Sequence, residues 1–386
     1  MSYPLVCLGD VADFINGVAF KPEDWGTEGK PIIRIQNLND PSKEYNYTHR
    51  EVKDTNIARK GDLLVSWSAS LGVYEWNGQE ACINQHIFKV VPNDEKIDKT
   101  YLKRALELSI VEMENQVHGA TMKHITRGKF LGNKIPLPPL AEQRRIASIL
   151  DQADVLCQKR QQTIEKLNQL LQATFIDMFG DPVSNPKGWD LVRVGEVVNE
   201  FIGGKNIECP DESDSDYKIL KVSAVTSKVY KPHESKFAPN TFEPNPLAIV
   251  EKGDLLFSRA NTTELVAATA YVWETPENIV LPDKLWKFSI SDESKVNKLY
   301  LWDLFKNIEF RNELSKLSSG TSGSMKNISK GKLNELKMPL PPKELQDKFA
   351  EFSTKLWGQI KTFQQSSDSL DSLFNSLQNQ AFNGSL

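Results

Sequence analysis

The chain has 386 residues and a formal net charge of −4, from 47 Lys and Arg against 51 Asp and Glu. The length favours two domains over one, and this acidic balance on its own argues weakly against nucleic-acid binding, which needs clustered Lys and Arg. No stretch approaches the roughly 20 apolar residues of a membrane span. The opening MSYPLVCLGD lacks a basic segment followed by an apolar one, so we expect no signal peptide and a cytoplasmic location.

The four cysteines, Cys7, Cys82, Cys157 and Cys209, stand far apart, with no Cys-x-x-Cys pair and no histidine pair at ligand spacing. This favours reduced thiols over disulfides or a zinc site. The sequence also lacks a Gly-rich nucleotide loop, a Walker pattern and an Asn-Pro-Pro or Asp-Pro-Pro methyltransferase motif. We therefore expect no cofactor or metal bound by this chain.

In the first part of the chain, short apolar runs predict strands at Pro31–Ile35, Asp62–Ser66 and Ile87–Val91, followed by a helix at Lys99–Gln116. This is a mixed α/β or α+β pattern without strict βαβ alternation. From Glu142 to Phe175 there is no Gly or Pro, and apolar residues recur every three or four positions, which predicts one long helix. The run Phe179-Gly180-Asp181-Pro182 ends that helix.

The same landmarks return in the same order in the second part of the chain. Three segments carry the repeat: Lys60-Gly61-Asp62-Leu63-Leu64 recurs as Lys252-Gly253-Asp254-Leu255-Leu256, Met122–Lys129 as Met325–Lys332, and Ile135-Pro136-Leu137-Pro138-Pro139 as Met338-Pro339-Leu340-Pro341-Pro342. Between them, His86–Val90 corresponds to Lys284–Phe288. A helix predicted at Lys298–Leu317 and a second long apolar stripe after Pro342 complete the copy, which indicates a duplicated domain.

Each long helix covers roughly 35 residues, or about 50 Å. Its apolar stripe needs a partner, and the other long helix supplies one if the two run antiparallel. Packing of each helix on its own globular region is the alternative. A pair of this length would hold the globular regions apart by about 14 base pairs of DNA.

Two windows of the sequence are basic. No Asp or Glu lies between Glu114 and Glu142, or between Glu313 and Glu335. The candidate DNA contacts in these windows are Lys123, His124, Arg127 and Lys129 in the first copy and Lys326, Asn327, Lys330 and Lys332 in the second. Both windows also contain small Gly-bearing runs whose N–H groups suit phosphates. A solvated loop is the alternative, and recurrence in both copies favours DNA.

Polar and aromatic residues in loops beside the predicted strands are candidates for reading bases, because Arg suits guanine and Asn or Gln suits adenine. They are Arg34, Gln36, Asn37, Trp67, Asn84, Gln85 and His86 in the first copy and Lys221, Ser223, Arg259, Asn261 and Lys284 in the second. The copies differ at corresponding positions, as at Trp67 and Arg259. Two half-sites read by them should therefore differ in sequence.

One pattern points instead to an enzyme. Pro282-Asp283 followed by Glu293-Ser294-Lys295 has the spacing of a magnesium-dependent nuclease in which two carboxylates hold the metal. Its counterpart in the first copy is Asn84-Gln85, which lacks a carboxylate. A scaffold that pairs other proteins without touching DNA is a further alternative.

The residues Ile135–Ala147, the end of the first long helix at Phe179–Pro182 and the Lys-Gly-Asp-Leu-Leu repeats resemble the specificity (S) subunit of type I restriction-modification enzymes. The resemblance covers the whole chain, and the duplicated Pro-Leu-Pro-Pro-to-helix motif is quite specific. The second copy departs from it, with Lys343–Lys348 in place of Leu140–Arg145. Equal docking of partners on both helices is therefore left open.

The resemblance implies two pseudo-two-fold related target-recognition domains, at 1–137 and 181–340, with two spacer helices, at 138–180 and 341–386, forming an antiparallel coiled coil. It implies a bipartite, asymmetric DNA site and no active site in this chain. The implied partners are double-stranded DNA, two modification subunits that methylate adenine with S-adenosylmethionine, and restriction subunits that use ATP and magnesium. The resemblance places the partner contacts on Glu142–Phe175 and Glu344–Gln380.

Overall fold

Each copy of the repeat builds the same pair of β-sheets, as seen in a computed structural model of the chain. The structure describes residues 3–116, 126–210, 213–290, 292–319 and 325–386. These fall into two compact units: unit 1 comprises Met1–Gln161 with Gln365–Leu386, and unit 2 comprises Gln162–Gln364. The unit boundaries cut both long helices, so each unit holds part of each.

The described part of unit 1 contains fourteen α-helices and β-strands before the first long helix. In chain order they are β1 (Leu5–Cys7), α1 (Leu8–Val11), β2 (Ala12–Asn16), β3 (Lys30–Ile33), α2 (Ile35–Asn39), β4 (Asn46–Thr48), β5 (Ile57–Ala58), β6 (Leu63–Ser66), β7 (Gly72–Glu75), β8 (Ala81–Ile83), β9 (Ile87–Pro92), α3 (Lys99–Gln116), α4 (Arg127–Leu131) and β10 (Lys134–Pro136). The long helix α5 (Leu140–Phe179) follows and continues into unit 2.

Unit 2 repeats this order with small differences. Its elements are β11 (Leu191–Arg193), α6 (Val194–Val197), β12 (Glu200–Gly203), β13 (Lys218–Leu220), α7 (Ser223–Thr226), β14 (Ser235–Phe237), β15 (Leu255–Ser258), β16 (Ala260–Asn261), β17 (Thr269–Tyr271), β18 (Ile279–Val280), β19 (Leu285–Ser289), α8 (Lys298–Lys306), α9 (Ile308–Lys316), β20 (Lys326–Asn327), α10 (Lys330–Glu335) and β21 (Lys337–Pro339). The second long helix, α11 (Lys343–Asn383), continues into unit 1.

The sheet topology is duplicated as well. Unit 1 has a four-stranded sheet in the order β2-β9-β6-β7, and unit 2 has β12-β19-β15-β17 in the same places. A second sheet, β4-β3-β8-β5, corresponds to β14-β13-β18, and the β1-β10 pair corresponds to β11-β21. These sheets and helices confirm a mixed α and β fold in two copies.

The central strand of each main sheet is buried on both faces. In β6, Leu63 and Val65 pack in a cluster with α3, whereas Leu64 packs with residues of the second sheet. In β15, Leu255 and Phe257 face α8 and Leu256 faces the other way. A strand with apolar neighbours on both sides reads as a continuous apolar run rather than an alternating one, which accounts for Leu-Leu in the repeat.

The Lys-Gly-Asp part of the repeat forms the turn before this strand. Gly61 and Gly253 both have φ of +89°, a conformation that side chains with a Cβ rarely adopt. Asp62 pairs with Lys89 across 2.6 Å, and Asp254 pairs with Lys287 across 3.1 Å. The glycine therefore allows the turn, and the aspartate binds the turn to the neighbouring strand.

The two long helices pack against each other within each unit. In unit 1, Arg145 near the start of α5 donates to the Leu386 carbonyl beyond the end of α11, and Phe374 and Leu377 join the core. In unit 2, Phe175 near the end of α5 lies against Phe349 near the start of α11, with ring centroids 5.4 Å apart. This confirms the antiparallel pairing of the helices. Both helices also pack on the globular cores, so each apolar stripe is covered partly by the other helix and partly by a globular core.

Several predicted elements differ from the structure. The strand predicted at Pro31–Ile35 ends at Ile33, and helix α2 begins at Ile35. The helix predicted at Lys298–Leu317 is two helices, because Asn307 leaves the helical conformation and its side chain caps α9 by accepting from the Phe310 N–H. The helix predicted at Lys99–Gln116 is confirmed.

Across the described residues, no helix is both long and apolar enough to span a bilayer. All four cysteines are free thiols, as expected. Burial raises the pKa of the Cys82 thiol, and burial and then the Asp371 carboxylate raise that of Cys157. These thiols are therefore less reactive than ordinary ones.

Candidate nucleic-acid interface

In unit 1 two adjacent strands bring candidate residues to one corner of the main sheet. Trp67 follows β6 and His86 precedes β9, and the backbone N–H of Trp67 donates to the backbone carbonyl of His86 across 3.3 Å. The Trp67 ring stacks on Phe88, with centroids 5.6 Å apart, and lies 5.6 Å from the His86 ring. We call Trp67, His86 and Gln85 corner 1. It presents partly exposed aromatic and imidazole surface.

The equivalent corner of unit 2 is built the same way with different side chains. Arg259 follows β15 and Lys284 precedes β19, and the backbone N–H of Arg259 donates to the backbone carbonyl of Lys284 across 3.1 Å. The Arg259 guanidinium lies 5.6 Å from the centre of the Trp286 ring, which occupies the place of Phe88. We call Arg259, Lys284 and Asn327 corner 2.

The Arg259 side chain is held from three sides. Its Nε donates to the Asp283 carbonyl across 2.7 Å and its Nη1 to Asn327 Oδ1 across 3.0 Å, while its Nη2 lies 3.6 Å from the Asp283 carboxylate. A quarter of the side chain is exposed. A guanidinium fixed in this way loses little entropy when it meets a planar acceptor pair such as a guanine edge.

The basic windows flank these corners. Helix α4 begins with Arg127, whose Nη2 donates to the Phe14 carbonyl across 3.2 Å, while Lys129 is exposed. In unit 2, Lys330 starts α10 with its Nζ 5.8 Å from the Trp286 ring centre, and Lys332 donates to the Leu317 carbonyl across 3.0 Å. Lys326 and Asn327 form β20, which pairs with β16 beside Arg259. The predicted contacts Lys123 and His124 lie outside the described residues.

Around α2 the candidates divide by burial. Arg34 lies over the Trp25 ring at 5.3 Å and donates to Asn46 Oδ1 across 3.2 Å, and Gln36 is exposed. Asn37 is fully buried: its Oδ1 accepts from the Arg34 N–H, and its Nδ2 donates to two backbone carbonyls. With its amide engaged inside the fold, Asn37 is suited to shaping this turn rather than to reading a base.

The remaining candidates lie in loops. Asn84 joins the fold through its backbone, which bridges to Val18, and Gln85 Nε2 is 3.3 Å from His86 Nε2. In unit 2, Ser223 donates to Glu234 across 2.8 Å; this hydrogen bond is the largest cause of the lowered pKa of the Glu234 carboxyl. Lys221 also faces Glu234, and Asn261 Oδ1 accepts from the Thr262 N–H. Gln85 belongs to corner 1 through its contact with His86, whereas Asn84, Lys221, Ser223 and Asn261 lie outside the two corners.

The nuclease alternative finds no support in this geometry. Asp283 precedes strand β19 and Glu293 follows it, so the five residues of that strand, about 16 Å of extended chain, separate them. Asp283 is paired with Arg259, whereas Lys295 is paired with Asp292. Within the described ranges, no group of three or more His, Cys, Asp or Glu side chains is placed to hold a metal ion.

Sequence reasoning missed the residues beneath the corners. Trp286, 6% exposed, supports Arg259 and Lys330, and Asp283 orients Arg259. The repeat itself carried a signal for Trp286, because it aligns with Phe88 and both are aromatic. Nothing in the local sequence indicated that Asp283, two residues upstream of a strand, would face Arg259 rather than solvent.

Comparisons with known proteins identify the family of the chain. Residues 3–169 and 186–371 match the type I restriction modification DNA specificity domain. The chain is 26% identical over 371 residues to the type I restriction enzyme MjaVIII specificity subunit of Methanocaldococcus jannaschii, covering 90% of this chain and 84% of that protein. It is 30% identical over 169 residues to the EcoEI specificity subunit of Escherichia coli, covering 43% and 28%.

Solved structures share the fold. The type I restriction-modification S subunit from M. genitalium aligns with a TM-score of 0.57 at 15% identity, covering 99% of this chain and 96% of that one. A chain from a structure titled as the basis of complex assembly and conformational transition of the type I R-M system aligns with a TM-score of 0.52 at 16% identity, covering 100% and 98%. At these identities the likeness concerns the fold alone.

Proposed function

Since the chain belongs to the type I restriction-modification DNA specificity family, we propose that it reads an asymmetric, bipartite DNA site, with one half-site facing each unit. The observation that carries this proposal is the pair of corners. Equivalent strands place Trp67 and His86 in unit 1 where Arg259 and Lys284 stand in unit 2. Two surfaces of the same backbone and different chemistry suit two different short sequences.

The contacts divide into two kinds. Arg34, Gln36, Trp67, Gln85 and His86 read bases in unit 1, and Arg259, Asn261, Lys284 and Asn327 read bases in unit 2. The fixed guanidinium of Arg259 suits the O6 and N7 acceptors of a guanine in the major groove. Arg127, Lys129, Lys326, Lys330 and Lys332 contact phosphates, which position the protein without reading sequence.

The long helices set the length of the unread spacer. Residues 1–137 and 181–340 act as recognition domains, and 138–180 and 341–386 act as spacer helices. These helices also dock two modification subunits and, through the complex, the restriction subunits. The chain is non-catalytic and binds no cofactor; S-adenosylmethionine, ATP and magnesium serve its partners.

The test is to express the chain with its modification subunits and to sequence the methylated adenines in the host DNA. We expect one bipartite motif with a fixed spacer. Methylation without a bipartite motif would contradict the proposal. Footprinting tests the scaffold alternative, because a scaffold protects no bipartite sequence. The nuclease alternative predicts magnesium-dependent cleavage by the isolated chain that Asp283→Ala abolishes, and we expect no such cleavage.

A second test concerns the spacer. Four residues inserted after Gln161 and four after Gln364 add about one turn, or 6 Å, to each helix while keeping its faces nearly in register. We expect a spacer about two base pairs longer with unchanged half-sites, measured by the same sequencing. A matched insertion after Val229, in an exposed loop of unit 2, should leave the spacer as it was, and an unchanged spacer in the helix variant would contradict the role of the helices.

A further inference from the structure

A buried glutamine occupies the same place in both units, at the start of each long helix. Gln143 in α5 and Gln346 in α11 are both fully buried. Each follows the Pro-Pro pair that leads into its helix. A buried primary amide needs two acceptors and a donor, so its surroundings show what it is for.

All three hydrogen-bonding groups of Gln143 are used, and they join three segments of unit 1. Its Oε1 accepts from the Asp98 N–H across 2.8 Å, while its Nε2 donates to the Lys96 carbonyl across 3.0 Å and to the Pro138 carbonyl across 2.8 Å. Asp98 is also the residue that caps α3, since its side chain accepts from the Thr100 N–H. The amide therefore links the start of α5, the proline linker and the start of α3.

Gln346 repeats the arrangement in unit 2. Its Oε1 accepts from the Asn297 N–H across 2.9 Å, and its Nε2 donates to the Lys295 carbonyl across 3.2 Å and the Pro341 carbonyl across 2.7 Å. Asn297 caps α8 as Asp98 caps α3. The arrangement persists although the residues beside the glutamine differ, with Arg144 near Asp98 in one unit and Asp347 bonded to Asn297 in the other.

A tyrosine adds a further bond to the same linker in each unit. The Tyr101 hydroxyl donates to the Pro136 carbonyl across 2.8 Å, and the Tyr300 hydroxyl donates to the Pro339 carbonyl across 2.7 Å. Both tyrosines are fully buried, and burial raises the pKa of each, so they stay neutral donors. We call the glutamine, the tyrosine and the carbonyls they bond the clamp.

We infer that Gln143 and Gln346 are positioning residues that fix the direction in which each long helix leaves its recognition domain, and that they thereby enforce the spacer length. The inference rests on the proposed function. In unit 1 the α5 segment from Leu140 to Gln161 is about 30 Å long, so a tilt of about 10° at its start moves its far end by about 5 Å. One base pair rises about 3.4 Å. A loosened clamp would therefore admit neighbouring spacer lengths.

The test uses the full chain with its modification subunits and plasmids that carry the wild-type half-sites with the spacer shortened or lengthened by one base pair. For the wild-type chain we expect about 100-fold slower methylation at these altered spacers, because misplacement beyond about 1 Å costs a reaction that much. Gln143→Leu and Gln346→Leu should reduce that penalty to about tenfold. The penalty for a changed base within a half-site should stay at its wild-type value.

The matched control is Gln79→Leu, which alters an exposed glutamine outside both long helices and should leave the spacer penalty unchanged. Tyr101→Phe and Tyr300→Phe remove one clamp bond and keep the ring, so they test the clamp if the leucine variants do not fold. They should lower the spacer penalty in the same direction by a smaller factor.

Two results would overturn the inference: a folded clamp variant that keeps the full spacer penalty, or one that loses half-site and spacer discrimination equally. The second result would mean that the glutamine only stabilises the fold. Failure of the proposed function is distinguishable, because it would appear in the wild-type chain as methylation without a bipartite motif.

Discussion

The two units join their globular cores to the long helices with different chemistry. In unit 1, buried Arg104 on α3 bonds Asp151 and Asp154 on α5, each across 2.7 Å, and lies 5.9 Å from the Phe374 ring centre. In unit 2 the residue that corresponds to Arg104, counted from the shared tyrosine, is Asp303. Asp303 pairs with Lys306 of its own helix across 2.7 Å, and aromatic rings make the contact with α11.

Trp302 of α8 and Trp357 of α11 pack edge to face with centroids 6.1 Å apart, and Trp357 stacks on Trp273 at 5.3 Å. Trp357 stands where Asp154 stands in the first copy, counted from the shared glutamine. The same backbone thus accommodates either an ionic or an aromatic contact between the globular core and the long helix. The backbone and the clamp are shared, whereas the side chains between α3 or α8 and the helices have diverged.

The largest effect is expected at the aromatic junction. Trp302 is 2% exposed, so Trp302→Ala leaves a cavity among Tyr271, Trp273 and Trp357 and should lower the free energy of unfolding by about 4 kcal/mol. Urea denaturation measures this loss. Trp25→Ala, at an exposed tryptophan, is the control and should cost far less. A loss below about 1 kcal/mol would show that the aromatic cluster is not what holds this junction.

The ionic junction should respond less strongly, and its response should depend on pH through the carboxyl of Glu107. Arg104→Leu leaves Glu107, Asp151 and Asp154 without their shared cation and should cost about 3 kcal/mol at pH 7. Burial raises the pKa of Glu107, and the attraction of Arg104 opposes that rise. Without the arginine the pKa should rise further, so the folded form is favoured when this carboxyl is protonated.

When the pKa of a carboxyl is higher in the folded than in the unfolded protein, the folded protein becomes less stable as pH rises above the unfolded pKa, which is about 4.3 for Glu. The stability gap between wild type and Arg104→Leu should therefore narrow as pH falls from 7 towards 4, in urea titrations at each pH. Arg145→Leu, which removes an exposed pair with Glu142 and an exposed hydrogen bond to the Leu386 carbonyl, serves as the control and should cost about 1 kcal/mol or less. A gap independent of pH would mean that the arginine acts through packing alone.

The smallest effect is expected at the corners, which we propose to read bases. Arg259→Ala should cost about 2 kcal/mol, near 30-fold, in discrimination at one base of the half-site read by unit 2 and nothing at the other half-site. Methylation rates on single-base variants of both half-sites measure it. Arg193→Ala, an exposed arginine paired with Glu196 and Glu335 in the same unit, is the matched control. Equal losses at both half-sites would contradict the division of labour.

Sequence patterns predicted this fold where one force dominates. The Gly-free apolar stripes predicted both long helices, which the structure extends to Leu140–Phe179 and Lys343–Asn383, and the duplicated Lys-Gly-Asp turn marked the central strands. Local competition caused the errors. Asn307 caps one helix at the end of another, and the Asn37 side chain supports a helix where a strand was predicted to continue.

The polar residues that organise the fold were harder to predict, because periodicity assigns polar side chains to the surface. Gln143, Gln346 and Arg104 are buried, and their partners lie about 50 residues away in sequence. A signal existed for the glutamines: aligned on their Pro-Pro pairs, Leu140–Arg145 and Lys343–Lys348 share a glutamine at the same place. The other five residues of the two segments differ, which hid the shared glutamine.

Because residues 365–386 belong to unit 1, that unit is discontinuous in sequence, and all of unit 2 lies between its parts. During synthesis the ribosome therefore delivers Phe374, Leu377 and Ala381 only after unit 2 has emerged. Until then the apolar face of the first core, including the ring of Tyr101, lacks the cover that the end of α11 provides, and exposed apolar surface of this kind favours aggregation of incomplete chains.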